Sequence, residues 1–172
     1  LIETNKVIFY MTDNIESKIK QVMESLGITY SWIDIDPNYA DTENFCQKYD
    51  YPMDNSGNTI LVASKRGEKK YSACIVLATT RLDVNKKVKE LMQVSRLSFA
   101  NAEETTAITE MLIGGVTPVG LPEHLPLYID DKVMNKDYVI IGGGSRSGKI
   151  RLNPEELLKL PSAQVIEGLS KA

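Results

Sequence analysis

The chain has 172 residues, of which 42% are hydrophobic and 25% charged, and its formal net charge is −3. These values are ordinary for a globular protein with a real core, and the negative charge argues against a protein that coats nucleic acid by bulk electrostatics. No run approaches the roughly 20 apolar residues that span a bilayer, and the first residues lack the order of a signal peptide. We therefore expect a cytoplasmic protein without membrane association.

The histidine and cysteine content argues against a metal site. One histidine, His124, and two distant cysteines, Cys46 and Cys74, match no familiar zinc spacing. In a cytosolic chain such cysteines are expected to be free, buried thiols. Neither a metal nor another cofactor is expected.

The first third of the chain alternates helix and strand signals. Apolar residues at helical spacing follow Asp13 and Asn14, either of which can cap a helix, and an alternating segment ends at Pro37. The predicted elements, in chain order, are a strand or apolar anchor at 7–10, a helix at 15–26, a strand at 30–36 and a helix at 42–49.

The remainder predicts a sheet that carries helices. Asn101 with Glu104 resembles a capping box, and Asn153 with Pro154 is a helix start. The predicted strands are 59–63, 71–79, 96–100, 127–130, 138–141 and 150–152, and the predicted helices run from 83–85 to about 92, from 101 to 111 and from 153 to about 160. The whole chain, 1–172, is therefore predicted to be a single mixed α/β domain.

Two glycine-rich segments stand out as candidate binding loops. The first, 114–122, combines a glycine doublet with two prolines, and the second, 142–149, begins with three glycines. Glycine lets a ligand approach the backbone closely, and proline stiffens a loop. Each segment alone fits a tight connector as well as a binding loop, but two in one small domain suggest a shared pocket.

Basic residues form three clusters along the chain. A cluster of this kind is more often a solvated surface than a track for phosphates. The clusters are Lys65, Arg66, Lys69 and Lys70; Arg81, Lys86, Lys87 and Lys89; and Arg146, Lys149 and Arg151.

The order of these landmarks resembles the YbaK family, which includes the editing insertion of bacterial prolyl-tRNA synthetases and its freestanding relatives. The resemblance covers roughly residues 55–160, with a looser fit of the N-terminal helix, strand and helix at 13–52. It implies an α/β fold of the α+β type, with a mixed, largely antiparallel sheet flanked by helices. The matching pieces are Thr59-Ile60-Leu61-Val62, Thr80 to Val88, Gly114-Gly115-Val116-Thr117-Pro118-Val119-Gly120, Leu127-Tyr128-Ile129-Asp130 and Gly142-Gly143-Gly144-Ser145-Arg146.

The resemblance implies a trans-editing deacylase that hydrolyses the ester of mischarged aminoacyl-tRNA without a metal. The partners would be the aminoacylated 3′ end of tRNA and, as a further candidate, an aminoacyl-tRNA synthetase. The family's glycine–proline signature falls on Gly114 and Pro118, and its backbone amides would hold the oxyanion. The implied catalytic residues are Asn58, Thr59, Gly114, Gly115 and Pro118, and the implied substrate-binding residues are Thr117, Gly143, Gly144, Ser145, Arg146 and Lys149.

One departure from the family concerns its activity. Relatives usually carry a lysine immediately before the threonine of the first hairpin strand, whereas this chain has Asn58 before Thr59. An amide can donate hydrogen bonds but supplies no positive charge. Lys149 is either a substitute cation or a solvent-facing residue, and a non-catalytic binding module of the same fold stays open as an alternative.

Overall fold

A computed structural model describes the backbone of residues 2–172 and the side chains of residues 3, 4, 6 and 14–172. The helices are α1 (Ile2–Ser25), α2 (Thr42–Tyr49), α3 (Lys89–Met92), α4 (Ala102–Thr109) and α5 (Asp131–Met134). Short 3-10 helices lie at Pro37–Tyr39, Met53–Asn55 and Pro154–Lys159, and a π-helical turn lies at Val84–Val88. The strands are β1 (Ser31–Asp34), β2 (Gly57–Ser64), β3 (Tyr71–Leu77), β4 (Arg81–Leu82), β5 (Leu97–Phe99), β6 (Leu127–Asp130), β7 (Val139–Gly142), β8 (Gly148–Leu152), β9 (Ala163–Ile166) and β10 (Ser170–Lys171).

The sheet topology confirms the mixed, largely antiparallel architecture. The larger sheet has the order β5-β2-β3-β6-β9, in which β2 is antiparallel to both neighbours and β6 is parallel to both of its neighbours. A second, fully antiparallel sheet has the order β1-β8-β7, and β4 pairs with β10. A parallel bridge between Ser56 and Ile140 joins the start of β2 to β7, so the two sheets meet there.

Helix α1 overturns one prediction. The backbone of residues 7–10 is helical, so the predicted strand is wrong; the side chains of 7–13, and with them the suggested apolar anchor, lie outside the described residues. A run of four apolar residues does not distinguish a strand from part of a helix. The helix therefore starts well before the expected cap at Asp13 or Asn14 and buries Ile19 and Met23 completely.

The C-terminal strands β9 and β10 and the short α5 were not predicted. Val165 in β9 is 44% exposed, so this strand lacks the buried apolar pattern that marks a strand in a sequence. It forms because β6 offers it a parallel partner. Tertiary context decides such segments.

The core lies on both faces of the larger sheet. On one face, Leu61 and Ile75 pack with Ile19 of α1. On the other, Val62 and Cys74 pack against the helical segment that ends at Met92. Burial raises the pKa of the Cys74 thiol to about 12, so Cys74 behaves as a small apolar residue, as expected from its position in an apolar strand.

The predicted capping box of α4 is present and can be tested. The Asn101 side chain accepts a hydrogen bond from the Glu104 N–H at 2.7 Å, and the Glu104 carboxylate accepts one from the Asn101 N–H at 3.4 Å. We expect Asn101→Ala to lower the free energy of unfolding by about 1 kcal/mol, because a helix donor loses its partner. Urea unfolding measures this loss, and Asn101→Ser, which keeps a cap, is the control. An unchanged stability of Asn101→Ala would contradict the role of the cap.

Candidate functional site

A cavity of about 280 Å³ opens where the two sheets meet. Its walls come from the segment leading into α2, the first half of β2, the first glycine-rich loop and the strands β7 and β8. The lining residues are Ala40, Asp41, Thr42, Ser56, Gly57, Asn58, Thr59, Ile60, Ile113, Gly114, Val116, Ile140, Gly142 and Lys149. The cavity therefore brings together Asn58, Thr59, Gly114 and Lys149 from the predicted site.

An unpaired stretch of the β2 edge forms one wall. Strand β5 pairs with β2 only at Val62–Ser64, so the edge before Leu61 lies beyond the paired part of β5. The Leu61 carbonyl accepts a hydrogen bond from the Ala100 N–H at 2.9 Å, which shows that odd-numbered residues direct their backbone groups to this side. By the same alternation, the N–H and C=O of Thr59 face the open edge. The Thr59 Oγ1 atom is buried and has no partner among the described residues, so this position offers polar groups to a ligand.

Asn58 is held in place by the start of α2. Its side-chain oxygen accepts a hydrogen bond from the Thr42 hydroxyl at 2.9 Å. This bond leaves the two amide hydrogens of Asn58 to donate. The residue can therefore orient an acceptor in the cavity, but it cannot act as a cation.

Lys149 lines the same cavity as Asn58. The residue is only 7% exposed, and its Nζ lies 5.0 Å from the centre of the Phe45 ring. No carboxylate of the described side chains lies within salt-bridge distance of it. Burial lowers the pKa of Lys149, as does the positive charge of Arg146, whereas Asp41 acts in the opposite direction. A buried lysine without an ionic partner is costly to the fold and is a mark of functional sites.

Arg146 organises the rim of the cavity. Its guanidinium donates to the Asp41 carboxylate at 3.1 Å, to the Pro37 carbonyl at 3.1 Å and to the Ile113 carbonyl at 3.3 Å. These bonds tie the second glycine-rich loop to the first loop and to the segment before α2. Arg146 therefore has a structural task, and of the two candidate cations Lys149 is the one that lines the cavity.

The two glycine-rich loops pack backbone against backbone. The Gly144 N–H donates to the Gly115 carbonyl at 2.7 Å. A Cβ atom on Gly115 would lie 2.6 Å from the Ser145 backbone, and one on Gly142 would lie 2.2 Å from the Val116 carbonyl oxygen. The two loops are therefore neighbours, as the sequence suggested, and their glycines permit the contact.

The other residues of the predicted site lie outside the cavity lining. Thr117 is fully buried, and its hydroxyl accepts a hydrogen bond from the Val119 N–H. Pro118 is buried behind it. Gly143 packs on Trp32, Gly144 packs on Ile19, and the Ser145 hydroxyl donates to Glu16 of α1. These residues shape the loops behind the cavity.

The amide of Gly115 is also engaged, because it donates to the Leu112 carbonyl at 3.0 Å. Gly114, at φ +91°, is the glycine of this doublet that lines the cavity.

Sequence reasoning missed three polar residues of the cavity, Asp41, Thr42 and Ser56. Asp41 and Thr42 lie at the start of the predicted helix 42–49, and Ser56 precedes the predicted strand at 59–63. Their polar side chains were visible in the sequence, but only the meeting of α2 with β2 gives them a common location.

The described part of the chain contains no helix long and apolar enough to cross a membrane. Within the same residues, no group of three or more histidine, cysteine or acidic side chains is placed to hold a metal ion.

Comparison with known proteins identifies the family. Residues 36–160 match the aminoacyl-tRNA editing domain, so the chain belongs to this family. A protein of Enterococcus faecalis, "Putative Cys-tRNA(Pro)/Cys-tRNA(Cys) deacylase EbsC", is 25% identical over 97 residues, which are 56% of this chain and 58% of that relative.

Two solved structures share the fold. "Crystal structure of a putative trans-editing enzyme for prolyl tRNA synthetase" has a TM-score of 0.79 and 24% identity over 92% of this chain and 98% of that chain. "Crystal structure of hypothetical protein APE2540" has a TM-score of 0.79 and 23% identity over 90% of this chain and 99% of the other. Both confirm the expected architecture.

The cost of burying Lys149 gives a stability test. The unfolded chain binds this proton up to a higher pH than the folded chain, so stability should rise as pH increases from the lowered folded pKa towards the ordinary value near 10.5. We expect Lys149→Met to be more stable than wild type by on the order of 1 kcal/mol at pH 7, with a smaller difference at pH 10. Urea unfolding at both pH values measures this. A destabilised Lys149→Met protein would show that the lysine supports the fold.

Proposed function

We propose that this chain hydrolyses the ester of mischarged aminoacyl-tRNA, with the aminoacyl ester and its ribose in the cavity. The observation that carries the proposal is that one cavity is lined by the buried Lys149, by Asn58 and by Thr59, whose hydroxyl has no partner among the described residues. This cavity lies inside the segment that matches the editing family. At about 280 Å³, the cavity is at the small end of ligand sites. This size fits a small aminoacyl group with part of the ribose.

The reaction needs little beyond positioning and a favourable electrostatic field. Water adds to the ester carbonyl, the carbonyl oxygen takes negative charge, and the bond to the ribose oxygen then breaks. The proton lost by the water ends on that ribose oxygen, which restores the tRNA hydroxyl and frees the amino acid. Preorganised donors and positive charge around the oxyanion lower this barrier.

The described residues divide this work as follows. Lys149 supplies the positive charge, either to the oxyanion or to the terminal phosphate, and the Gly114 amide is the loop donor at the cavity wall. Thr59 and the free amide hydrogens of Asn58 orient the ribose hydroxyl or the attacking water. Fixed groups of this kind accelerate a reaction mainly by holding the reactants together.

A panel of mischarged tRNAs tests the activity. We expect release from at least one of alanyl-, seryl- and cysteinyl-tRNA of proline specificity, a choice that follows the name of the Enterococcus relative. We expect Lys149→Met and Thr59→Val to reduce the rate by about 100-fold or more and about tenfold respectively, because each removes a group that faces the reacting atoms. Thr59→Ser, which keeps the hydroxyl, is the matched control.

The same panel separates catalysis from binding. Tight binding of aminoacyl-tRNA by a folded protein that accelerates no deacylation would support the non-catalytic binding module instead. If the folded protein neither binds nor deacylates any of these tRNAs, tRNA is not its substrate.

A swap of positions tests whether Lys149 replaces the family's lysine. Asn58 and Lys149 line the same cavity, so a cation can be moved between them. We expect Lys149→Met to lose activity. We expect the double variant Asn58→Lys with Lys149→Met to be at least tenfold more active than Lys149→Met alone. Asn58→Gln with Lys149→Met controls for side-chain length without charge. Recovery by the control as large as that by the lysine would show that charge is not the property required.

A further inference from the structure

We propose that Phe99, together with the cations beside it, forms a platform for the single-stranded 3′ end of the RNA substrate at the rim of the cavity. This inference rests on the proposed function, since it names how that substrate is held. The platform consists of Phe99, Arg96, Lys65 and Arg66.

The sheet register places Phe99 next to the cavity. Phe99 of β5 lies directly opposite Val62 of β2. Side chains two residues apart on a strand share a face, so Phe99 is the diagonal neighbour of Ile60, which lines the cavity. Asn58 shares that face as well. Along β2, Val62, the partner of Phe99, is about 10 Å from Thr59 at about 3.3 Å per residue.

The exposure of Phe99 is not explained by packing. The side chain is 59% exposed on an edge strand, whereas Leu97 on the same face packs into the core. Aromatic side chains exposed on sheets are used to stack unpaired bases, because every base presents an apolar ring face. A base next to the terminal ribose would reach Phe99 while the aminoacyl group occupies the cavity.

Cations lie near the start of β5 although the chain as a whole is acidic. Arg96 immediately precedes β5, and its carbonyl accepts a hydrogen bond from the Lys65 N–H at 2.9 Å. Lys65, Arg66 and Arg96 are exposed. The π-helical turn Val84–Val88, which contacts β5, adds Lys86 and Lys87.

Carboxylates are fewer than cations in the turn at 65–70, whereas α4, which follows β5, begins with Glu103 and Glu104. The hairpin turn at 65–70 carries Glu68 among four cations, and Lys69 there is paired with Glu104 of α4 at 3.1 Å. The chain as a whole has a net charge of −3, so the cations at 65–70 are a local excess within an acidic protein. Phosphates are the anions that such a surface complements, and an aromatic ring among cations favours single-stranded RNA over an acidic protein.

Binding of an RNA minihelix tests the platform separately from catalysis. The probes are a fluorescent minihelix with a single-stranded CCA overhang and the same helix with a blunt end, measured by anisotropy. We expect Phe99→Ala to weaken binding of the overhang probe by about tenfold and to leave the blunt probe unchanged. Phe99→Trp keeps the stacking surface and should bind as wild type. The matched control is Val165→Ala, because Val165 is a partly exposed apolar residue on β9, the opposite edge of the same sheet.

A second binding experiment tests the positive charge of the platform with the double variant Lys65→Gln with Arg96→Gln. This variant should weaken both probes and reduce the slope of log affinity against log salt by about 1–2, since each lost phosphate contact removes about 0.7–0.9 from the slope. Lys18→Gln on α1 is the control for loss of a surface charge.

The outcomes distinguish this inference from the proposed function. Overhang binding by Phe99→Ala equal to wild type overturns the platform, whether or not the protein deacylates tRNA. Weaker overhang binding with unchanged release from a small aminoacyl ester that carries no base supports it together with the proposed function. Weaker overhang binding by a protein that hydrolyses no aminoacyl ester supports the platform and refutes the deacylase.

Discussion

The close backbone packing of the two glycine-rich loops is the constraint on which the site depends. The Gly144 N–H bond to the Gly115 carbonyl brings the loops together, and the space for a Cβ on Gly115 or Gly142 is already filled by backbone atoms. A side chain at either position would push the loops apart. Because Gly142 ends β7 and pairs with Lys149 of β8, this packing also fixes where the lysine stands relative to Gly114. The glycines therefore serve the site mainly by allowing two backbones to meet.

The electrostatics of the cavity are unbalanced in a way that a purely structural site would avoid. Arg146 satisfies its guanidinium with a carboxylate and two carbonyls, whereas Lys149 has an aromatic ring as its described neighbour. An aromatic face attracts a cation, but it does not replace the hydrogen bonds of water. Burial of the charged form of Lys149 therefore costs stability. A negatively charged group of a ligand, or charge that develops during a reaction, would offset that cost.

The sequence predicts the fold well where hydrophobic period and turn chemistry agree. The strand at 59–63, the helix over 42–49 and the capping box at Asn101 are all present. The strand predicted at 7–10 is wrong because a short apolar run fits either a helix or a strand. Strand β9 was missed because its formation depends on β6. For the candidate site, the family resemblance and the glycine-rich pattern name Asn58, Thr59, Gly114 and Lys149, which lie in one cavity. They cannot separate these from Thr117 or Ser145, because a loop in the sequence does not show which of its side chains turns inwards.

Strand β2 links the core, the cavity and the proposed RNA platform through its two periodicities. Side chains alternate between faces, so Leu61 enters the main core while Ile60 borders the cavity beneath Phe99. Backbone groups alternate between edges, so Thr59 directs its N–H and C=O to the side that β5 leaves open. If β5 extended further along β2, it would cover this edge and close the cavity. The short β5 therefore has two consequences: it leaves unpaired backbone groups for a substrate, and it ends with an aromatic residue beside the opening. A ligand that fills the cavity and continues along the sheet would meet first the Thr59 backbone, then the Phe99 ring and then the cations at Arg96 and Lys65. This order matches the chemistry of an aminoacylated RNA end, which runs from ester and ribose to base and phosphate.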